Sequence, residues 1–488
     1  MKKFITIVAA AAMWSCALAQ SGELTLTMGN ESKEVEDEDV LRAIYMGSAG
    51  NQTCWLTRED DNDDAWSAYS VDSNMHVSKW LRLPIKEEYE LVSMIWNGSV
   101  ASVIMVDSSN ARNTLVLRFS VDMDSLMLMD DRIDTLANFK LDKGDHCFVW
   151  GAVSNNEQYM GLLTLQQFAK KKEYVSTATM YDRGMNELWS KEFPVGTTSC
   201  LAVSDYGEML TLGSKREATA ERFLVSVIDA NMGENYSATV TCDRLQEMRI
   251  VNVLGRKMIC AGIFSPNGTD PEDKLVRGTA MMAFDLDSAT VTNFTLYPFQ
   301  NEDVNILLNK KTKKVQRDKA VPMVVPLASA PMPYGAVLAV GHRHMLRYKN
   351  ANGTVSTTYY TQGLQLVAID ENGGLKWVRN IRRNDIAKGD DDLLYIALFG
   401  SDDNVCLLKS ESPKYPAEYN ISGEAKEYEM GDKGNLVLYR VAENGDVTKS
   451  ILEQKTKHML VSAAKTEEGS VLLMTMKGSK SRLGVLKF

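Results

Sequence analysis

Two histidines separated by one residue are the first candidates for chemistry in this sequence. His342 and His344 flank a single arginine. In a β-strand, residues two apart point to the same face, so both imidazoles could bind one metal ion. A third ligand would have to come from elsewhere, and a histidine pair packed near a strand end is the simpler interpretation. The sequence therefore predicts a binding position at these histidines and no metal site.

Two adjacent tyrosines form the second candidate. Tyr359 and Tyr360 lie in the polar segment 350–362, whose composition is typical of a loop or a loop hairpin. Exposed aromatic rings in such a segment could stack on a sugar ring or on a peptide. Packing of these rings within a loop or against a fourth strand is the alternative interpretation.

A basic run, residues 310–317, stands out in an acidic protein. It contains Lys310 and Lys313 and lies in a predicted insertion near residues 299–321, where a short helix is expected. Contact with an acidic partner or an anionic polysaccharide is the functional interpretation. A solvated insertion loop is the structural one.

Two acidic runs, residues 59–64 and 390–392, raise the question of calcium. Asp60, Asn62 and Asp64 alternate as calcium ligands do. However, Ala65 stands where an EF-hand loop needs glycine, and no glutamate follows at the bidentate position. The sequence therefore excludes a regular EF-hand and favours solvated acidic turns.

Enzyme and cofactor motifs are absent from the sequence. It contains no H-E-x-x-H, C-x-x-C, G-x-S-x-G, G-x-G-x-x-G or Walker A phrase, so we expect no bound cofactor. The 488 residues include 64 acidic and 54 basic side chains, for a net charge of −10. This balance argues against nucleic-acid binding, which needs a basic surface.

The first twenty residues are typical of an export signal. Lys2 and Lys3 precede an apolar run, residues 4–14, and an Ala-Leu-Ala cleavage sequence follows at residues 17–19. Gln20 is then the first mature residue. The apolar run is too short to cross a bilayer, and no later stretch of the sequence is long enough. We expect residues 1–19 to be removed and the mature chain to be periplasmic or secreted.

Lipid attachment at Cys16 is the less favoured alternative, because the bulky Trp14 precedes it. The exported chain keeps six cysteines at irregular spacings, mostly within apolar runs. We expect these to be mainly buried free thiols and not a disulfide framework. They are Cys54, Cys147, Cys200, Cys242, Cys260 and Cys406.

A repeated sequence phrase indicates the fold that holds these residues in place. The sequences MYDRGMNELW and AIDENGGLKW share an aspartate seven residues before a tryptophan: Asp182 with Trp189, and Asp370 with Trp377. Aspartate and Gly373 suit a tight turn between two strands, and the tryptophan suits packing between sheets. Hairpins of this kind are centred near residues 72, 122, 182, 229, 287, 370 and 443. Their average spacing of about 62 residues provides four short strands per repeat, which predicts an all-β propeller.

The two ends of the chain complete the predicted ring. After the seventh hairpin, three strands remain at residues 458–464, 470–477 and 482–488, and residues 23–28 could supply the fourth. We therefore predict one domain, residues 20–488, with eight four-stranded blades closed by an N-terminal strand. Seven blades are the alternative.

The repeat phrases resemble those of pyrroloquinoline-quinone-type β-propellers. That group includes quinone-dependent dehydrogenases and non-enzymatic periplasmic scaffolds, such as the outer-membrane assembly propeller lipoprotein. The resemblance implies the fold. No two cysteines here are adjacent, so the pair that such dehydrogenases place near the quinone is missing. A quinone-dependent oxidoreductase is thus supported by fold analogy alone.

The predicted loop lengths differ between the two sides of the ring. The long segments 265–277, 301–320, 345–362, 382–391 and 410–434 all fall on the side of the second-to-third and blade-to-blade connections. Long loops in a compact repeat are usually functional. We therefore expect a monomeric, non-catalytic scaffold that binds a protein or a glycan on that side. The alternative is a hydrolase or lyase with its site at the channel mouth.

Overall fold

The structure is a computed structural model, and it describes the chain in fifteen ranges. These are residues 24–29, 42–50, 52–58, 66–73, 75–86, 88–129, 133–170, 173–194, 200–266, 274–310, 320–349, 355–389, 394–466, 469–477 and 480–488. The expected signal peptide, Cys16, Lys313 and the two acidic runs lie outside these ranges.

The described residues form antiparallel sheets whose strands follow one another in sequence. Strand β1 (Thr25–Met28) precedes sheet 1, which contains β2 (Arg42–Ala49), β3 (Gln52–Arg58), β4 (Trp66–Val71) and β5 (Val77–Arg82). Sheet 2 contains β6 (Tyr89–Asn97), β7 (Val100–Asp107), β8 (Asn113–Asp122), β9 (Met127–Leu128) and β10 (Asp134–Lys140). Sheet 3 contains β11 (His146–Val153), β12 (Tyr159–Phe168), β13 (Glu173–Asp182) and β14 (Glu187–Glu192).

The next two sheets have the same order. Sheet 4 contains β15 (Cys200–Val203), β16 (Met209–Glu217), β17 (Ala220–Ile228) and β18 (Gly233–Thr241). Sheet 5 contains β19 (Arg244–Leu254), β20 (Lys257–Ser265), β22 (Gly278–Asp285) and β23 (Thr290–Pro298). Between β20 and β22 lies β21 (Leu275–Val276), which pairs with β24 (Val321–Pro322). The predicted short helix is present as α1 (Asn301–Leu307).

The C-terminal sheets complete the chain. Sheet 6 contains β25 (Val324–Met332), β26 (Gly335–Lys349), β27 (Val355–Asp370) and β28 (Leu375–Lys388). Sheet 7 contains β29 (Ile396–Ser401), β30 (Asn404–Glu411), β32 (Gly434–Val441) and β33 (Val447–Thr456), while β31 (Tyr428–Glu429) pairs in parallel with β28. Sheet 8 contains β34 (Met459–Lys465), β35 (Val471–Lys477) and β36 (Lys480–Lys487), with β1 as its fourth strand.

Apolar side chains pack between successive sheets, as alternation along each strand requires. One buried cluster lies between sheets 1 and 2, and others follow between each later pair of neighbours. A further cluster joins Trp55 and Tyr69 of sheet 1 to Leu472 and Met474 of sheet 8. Sheets of four sequential strands that pack face to face are the building units of a β-propeller.

All seven predicted hairpins are present. Six join the third strand of a sheet to the fourth, and the hairpin near residue 122 joins β8 to the short β9, which pairs with β8 beside β10. The Asp370 carboxylate accepts the backbone N–H of Gly374 at 2.9 Å, and Gly373 has a φ of 82°. The Asp182 carboxylate accepts the Asn186 N–H at the same distance. Aspartate therefore fixes the turn by accepting main-chain hydrogen bonds, as its place in the repeat predicts.

The tryptophans of the repeat pack between sheets. Trp377 is 6% exposed, belongs to the cluster between sheets 6 and 7, and donates its indole N–H to the Glu443 carbonyl at 3.0 Å. Trp189 is half-buried against the cluster between sheets 3 and 4. A side chain on Gly373 would meet the Ala283 nitrogen of sheet 5 at 2.3 Å. These repeat positions are structural.

The six described cysteines form no disulfide bond with one another. Burial raises the pKa of Cys54 and of Cys406, each to about 12, so both thiols are protonated and unreactive at neutral pH. Among the described residues, no helix is long and apolar enough to span a membrane.

Connection lengths differ between the two ends of each sheet. First-to-second and third-to-fourth connections have at most five residues, if β9 is counted as the start of the fourth strand of sheet 2. Residues 266–277, 299–323 and 412–433, in contrast, all join second to third strands or successive sheets. The predicted asymmetry is therefore present. The predictions of long loops at 345–362 and 382–391 are wrong, because residues 355–362 belong to strand β27 and residues 382–388 belong to strand β28. Their polar residues pair along neighbouring strands, and polar composition alone could not distinguish this from a loop.

Candidate functional site

Sheet 6 has the longest strands in the described part of the chain. Strands β26, β27 and β28 have 15, 16 and 14 residues, and the longest strand elsewhere has 11. Pairing between β26 and β27 continues to Lys349 and Val355. We call residues 342–349 and 355–362 the extended hairpin, because β25 pairs with β26 only as far as His342.

The predicted histidines lie at the base of the extended hairpin. His342 and His344 share one face, as predicted, and their ring centroids are 5.1 Å apart. The His344 ring stacks on Tyr360 at 4.6 Å, with an angle of 1° between the two ring planes. Lys310 lies close enough for its charge to lower the pKa of His342. The structure thus brings together four of the six predicted binding residues.

The other two predicted residues have different outcomes. Tyr359 is in β27 and follows the strand alternation, so its side chain points to the face opposite that of Tyr360. It is opposite Met345 of β26 and Ala387 of β28. Of the two interpretations of this segment, the loop is wrong and the hairpin is confirmed, because both tyrosines lie in β27, which pairs with β26 and β28. Lys313 lies outside the described residues.

Both histidines are held in the neutral form. Burial, followed by the nearby His344 and Lys310 charges, lowers the pKa of His342 to about 4, and a hydrogen bond with Gln362 partly opposes this. Burial also lowers the pKa of His344. Neither imidazole forms an ion pair with a described residue, and the described residues contain no group of three metal ligands.

The far end of the extended hairpin, residues 345–349 and 355, is unusually apolar for an exposed surface. We call these residues the tip. Four large hydrophobic side chains are between 40% and 58% exposed: Met345, Leu346, Tyr348 and Val355. Arg347 and Lys349 are exposed between them. The sequence has no aspartate or glutamate from residue 319 to residue 369, so the tip is basic within an acidic protein.

Residues 412–433, which we call the covering loop, pack against sheet 6. The Tyr419 hydroxyl donates to the Asn380 carbonyl at 2.8 Å, and Arg382 donates to the Ile421 carbonyl at 2.7 Å. Asn309, just after α1, exchanges two hydrogen bonds with Ala425, at 3.0 and 2.7 Å. The covering loop, α1 and the extended hairpin therefore form one surface, which we call the hairpin surface.

Helix α1 is also fixed to sheet 6 by its own side chains. Asp303 is 2% exposed and accepts hydrogen bonds from the Asn380 amide at 2.7 Å and the Tyr297 hydroxyl at 2.8 Å. The Asp303 carboxylate also accepts the backbone N–H of Gln300 at 2.7 Å, which caps the N-terminus of the helix. Gly363 allows close approach, since a side chain there would meet the Ile306 carbonyl at 2.3 Å.

Five buried charged side chains lie beneath the covering loop, and we call them the charge cluster. They are Arg383, Asp385, Lys409, Glu411 and Lys449, all at most 2% exposed. Arg383 pairs with Asp385, and Lys449 pairs with Glu411. The Lys409 ammonium is 3.7 Å from Glu411 and 4.0 Å from Asp385.

The charge cluster connects the covering loop to sheets 6 and 7. Lys449 donates to the Pro416 carbonyl at 2.6 Å, and the Tyr415 hydroxyl accepts the Asn384 backbone N–H at 3.1 Å. Desolvation by burial lowers the pKa of Lys409, and the neighbouring carboxylates only partly oppose it. Sequence reasoning missed this cluster because its members stand beside polar residues such as Asn384 and Ser410, a composition that is typical of exposed segments.

Similarity to known proteins is confined to overall structure. No family model matches the chain, and no curated protein sequence is similar to it. Among solved structures, the WD40 domain of SCAP from fission yeast has 9% identity and a TM-score of 0.38, covering 95% of this chain and 98% of that one.

Two further structures give comparable scores. The β-propeller domain of the Trilobed protease from Pyrococcus furiosus has 9% identity and a TM-score of 0.36, covering 86% of this chain and 98% of that one. An oligogalacturonate lyase in complex with manganese has 8% identity and a TM-score of 0.35, covering 95% and 96%. At scores this low, none of these resemblances assigns a function to this chain.

Proposed function

We propose that this chain is an exported, non-catalytic β-propeller that binds a protein or a glycan through the hairpin surface. The observation that carries the proposal is the tip: four exposed hydrophobic side chains and two exposed cations on strands that project beyond their sheet. Exposed apolar patches bordered by polar residues are typical of interaction sites. The hydrogen bonds of α1 and the covering loop provide a rigid base for this surface.

A binding role is better supported than a hydrolase or lyase. The two histidines are neutral and without a carboxylate partner among the described residues, so the acid–base pair of such an enzyme is not assembled there. The five charges of the charge cluster are buried beneath the covering loop, away from any solvated substrate.

The architecture proposed for this scaffold is a closed ring of eight blades of the pyrroloquinoline-quinone type, acting as a monomer. Pairing of β1 with β36 and the apolar cluster between sheets 8 and 1 support closure. The two Asp-to-Trp phrases support the blade type. Removal of residues 24–29 should then lower stability and expose the edge of β36.

Export is proposed from the charged, apolar and Ala-Leu-Ala segments at the start of the sequence. Cell fractionation followed by N-terminal sequencing tests it directly. A mature chain that begins at Gln20 in the periplasm or medium is expected. A full-length chain retained in the cytoplasm would contradict it.

Site-specific photo-crosslinking tests the binding surface. A photoreactive residue at Tyr348, which is 50% exposed, is compared with one at Tyr206, which is 65% exposed in the short turn between β15 and β16. In cells of the source organism, a discrete crosslinked product is expected at position 348 and not at position 206. Equal labelling at both positions, or none at position 348, would refute the proposed function.

A further inference from the structure

We propose that the outer edge of β26 binds an extended acidic peptide as an additional β-strand. This inference rests on the proposed function and specifies the partner and the binding mode. Pairing between β25 and β26 ends at Val324 and His342, and the last bond on that side runs from the Arg343 N–H to the Met323 carbonyl at 2.9 Å. Beyond this point β26 continues to Lys349.

The backbone groups on this edge can be assigned from that last bond. In an antiparallel strand, successive residues direct both N–H and C=O to alternate sides. Because Arg343 directs its N–H toward β25, the residues at 345, 347 and 349 direct their N–H and C=O groups outward. Within the described ranges, no group donates to or accepts from these outward N–H and C=O groups of Met345, Arg347 and Lys349.

The opposite edge of sheet 6, formed by β28, is paired with a further strand. The far part of β28 is covered by β31, with Asp385 opposite Tyr428 and Ile386 opposite Glu429. Lys388 adds an ion pair to Glu429 at 2.8 Å. An edge strand with unpaired backbone groups is a template for another strand, and proteins usually cover or blunt it. One edge of the extended hairpin is covered in this way, whereas no described strand pairs with the other edge beyond Arg343.

Side chains along the open edge define what the added strand must carry. Arg347 and Lys349 share a face with Met345, and neither cation pairs with a described carboxylate. Leu346 and Tyr348 lie on the other face. A strand laid beside β26 places its own side chains alternately next to these two faces. Acidic residues alternating with apolar or aromatic residues therefore complement this edge.

The open edge favours a peptide over an anionic polysaccharide. Both ligands could satisfy Arg347 and Lys349, but only a peptide presents alternating N–H and C=O groups at strand spacing. The occupant we infer is an acidic segment of another protein.

Backbone-modified peptides test the pairing. The probe is a fluorescent ten-residue peptide that alternates glutamate with valine and tyrosine, and two matched peptides carry N-methyl groups on one or the other alternate set of residues. The parent should bind the mature protein saturably, as measured by fluorescence anisotropy. Only one methylated peptide should bind about tenfold or more weakly, because only one set of N–H groups faces β26. Hydrogen exchange should slow at the amides of residues 345, 347 and 349.

Charge reversal at the tip is a second test of the proposal. The double variant R347E/K349E should bind the parent peptide about tenfold or more weakly, and added salt should weaken the wild-type interaction. The matched control K140E/K143E changes two exposed lysines near the end of sheet 2 and should bind normally. Circular dichroism of both variants verifies the fold.

Several outcomes would overturn strand addition. They are equal binding by both methylated peptides, no binding by the parent, or binding of polygalacturonate that R347E/K349E abolishes while the peptide does not bind. If photo-crosslinking at Tyr348 persists in these cases, the binding surface stands and only the mode of recognition is wrong. If crosslinking is also absent, the proposed function fails with it.

Discussion

The tip of the extended hairpin and the charge cluster are both rich in cations, but they place them in opposite environments. In the charge cluster, Arg383, Lys409 and Lys449 are at most 2% exposed and face two carboxylates. At the tip, Arg347 and Lys349 are exposed and have no described carboxylate near them.

This difference separates structural charges from charges available for binding. A buried charge must be compensated within the protein, because its desolvation costs several kcal/mol. The cations of the cluster therefore pair with Asp385 and Glu411 or donate hydrogen bonds to carbonyl groups of the covering loop. A solvated cation needs no internal partner, so the tip can keep its positive charge for a ligand.

Removing a buried carboxylate should have the largest effect. The substitution Asp385→Asn leaves Arg383 without its partner and one carboxylate facing three buried cations. We expect the free energy of unfolding to fall by about 3–5 kcal/mol in urea denaturation at pH 7. The control Asp134→Asn breaks the partly exposed pair with Arg118 and should cost less than about 1 kcal/mol. Similar losses in the two variants would contradict the structural role of the cluster.

The buried His342 at the base of the extended hairpin should make the free energy of unfolding depend on pH. His342 is 7% exposed with a pKa of about 4, against 6.5 when unfolded, so the unfolded chain binds more protons between these values. Its contribution is complete above pH 6.5 and is lost as pH falls toward 4, by up to about 3 kcal/mol. Urea denaturation across this range should show a smaller pH dependence for His342→Gln. An unchanged dependence would mean that His342 is accessible to protons in the folded state.

Removing a buried cation should cost far less than removing a buried carboxylate. The substitution Lys409→Met leaves two cations and two carboxylates in the cluster, and burial already lowers the pKa of this lysine. We expect a change of about 1 kcal/mol or less in the same urea assay. A loss as large as that of Asp385→Asn would show that Lys409 is needed to compensate both carboxylates.

Reversing the charges at the tip should have the smallest effect on stability. Arg347 and Lys349 are exposed and form no ion pair with described residues. The double variant R347E/K349E should therefore unfold within about 0.5 kcal/mol of the wild type. A loss greater than about 2 kcal/mol would instead assign these cations to the fold and remove them from the binding proposal.

Local sequence determined much of the architecture. Asp182 and Asp370 stand where a tight turn needs a side-chain acceptor, and alternating apolar residues mark the strands on either side. These signals are local, so all seven hairpins could be placed from the sequence. The spacing of His342 and His344 likewise predicted that they share a face, because strand periodicity alone decides this.

The arrangement of the hairpin surface depends on contacts between separate strands and sheets. The continuation of β27 through residues 355–362 depends on partners in β26 and β28, and polar composition had suggested a loop. The stacking of His344 on Tyr360 and the approach of Lys310 join residues that are far apart in sequence. The charge cluster is the clearest case. Arg383 and Asp385 come from sheet 6 and Lys409, Glu411 and Lys449 from sheet 7, so only the packing of the two sheets brings the five charges together.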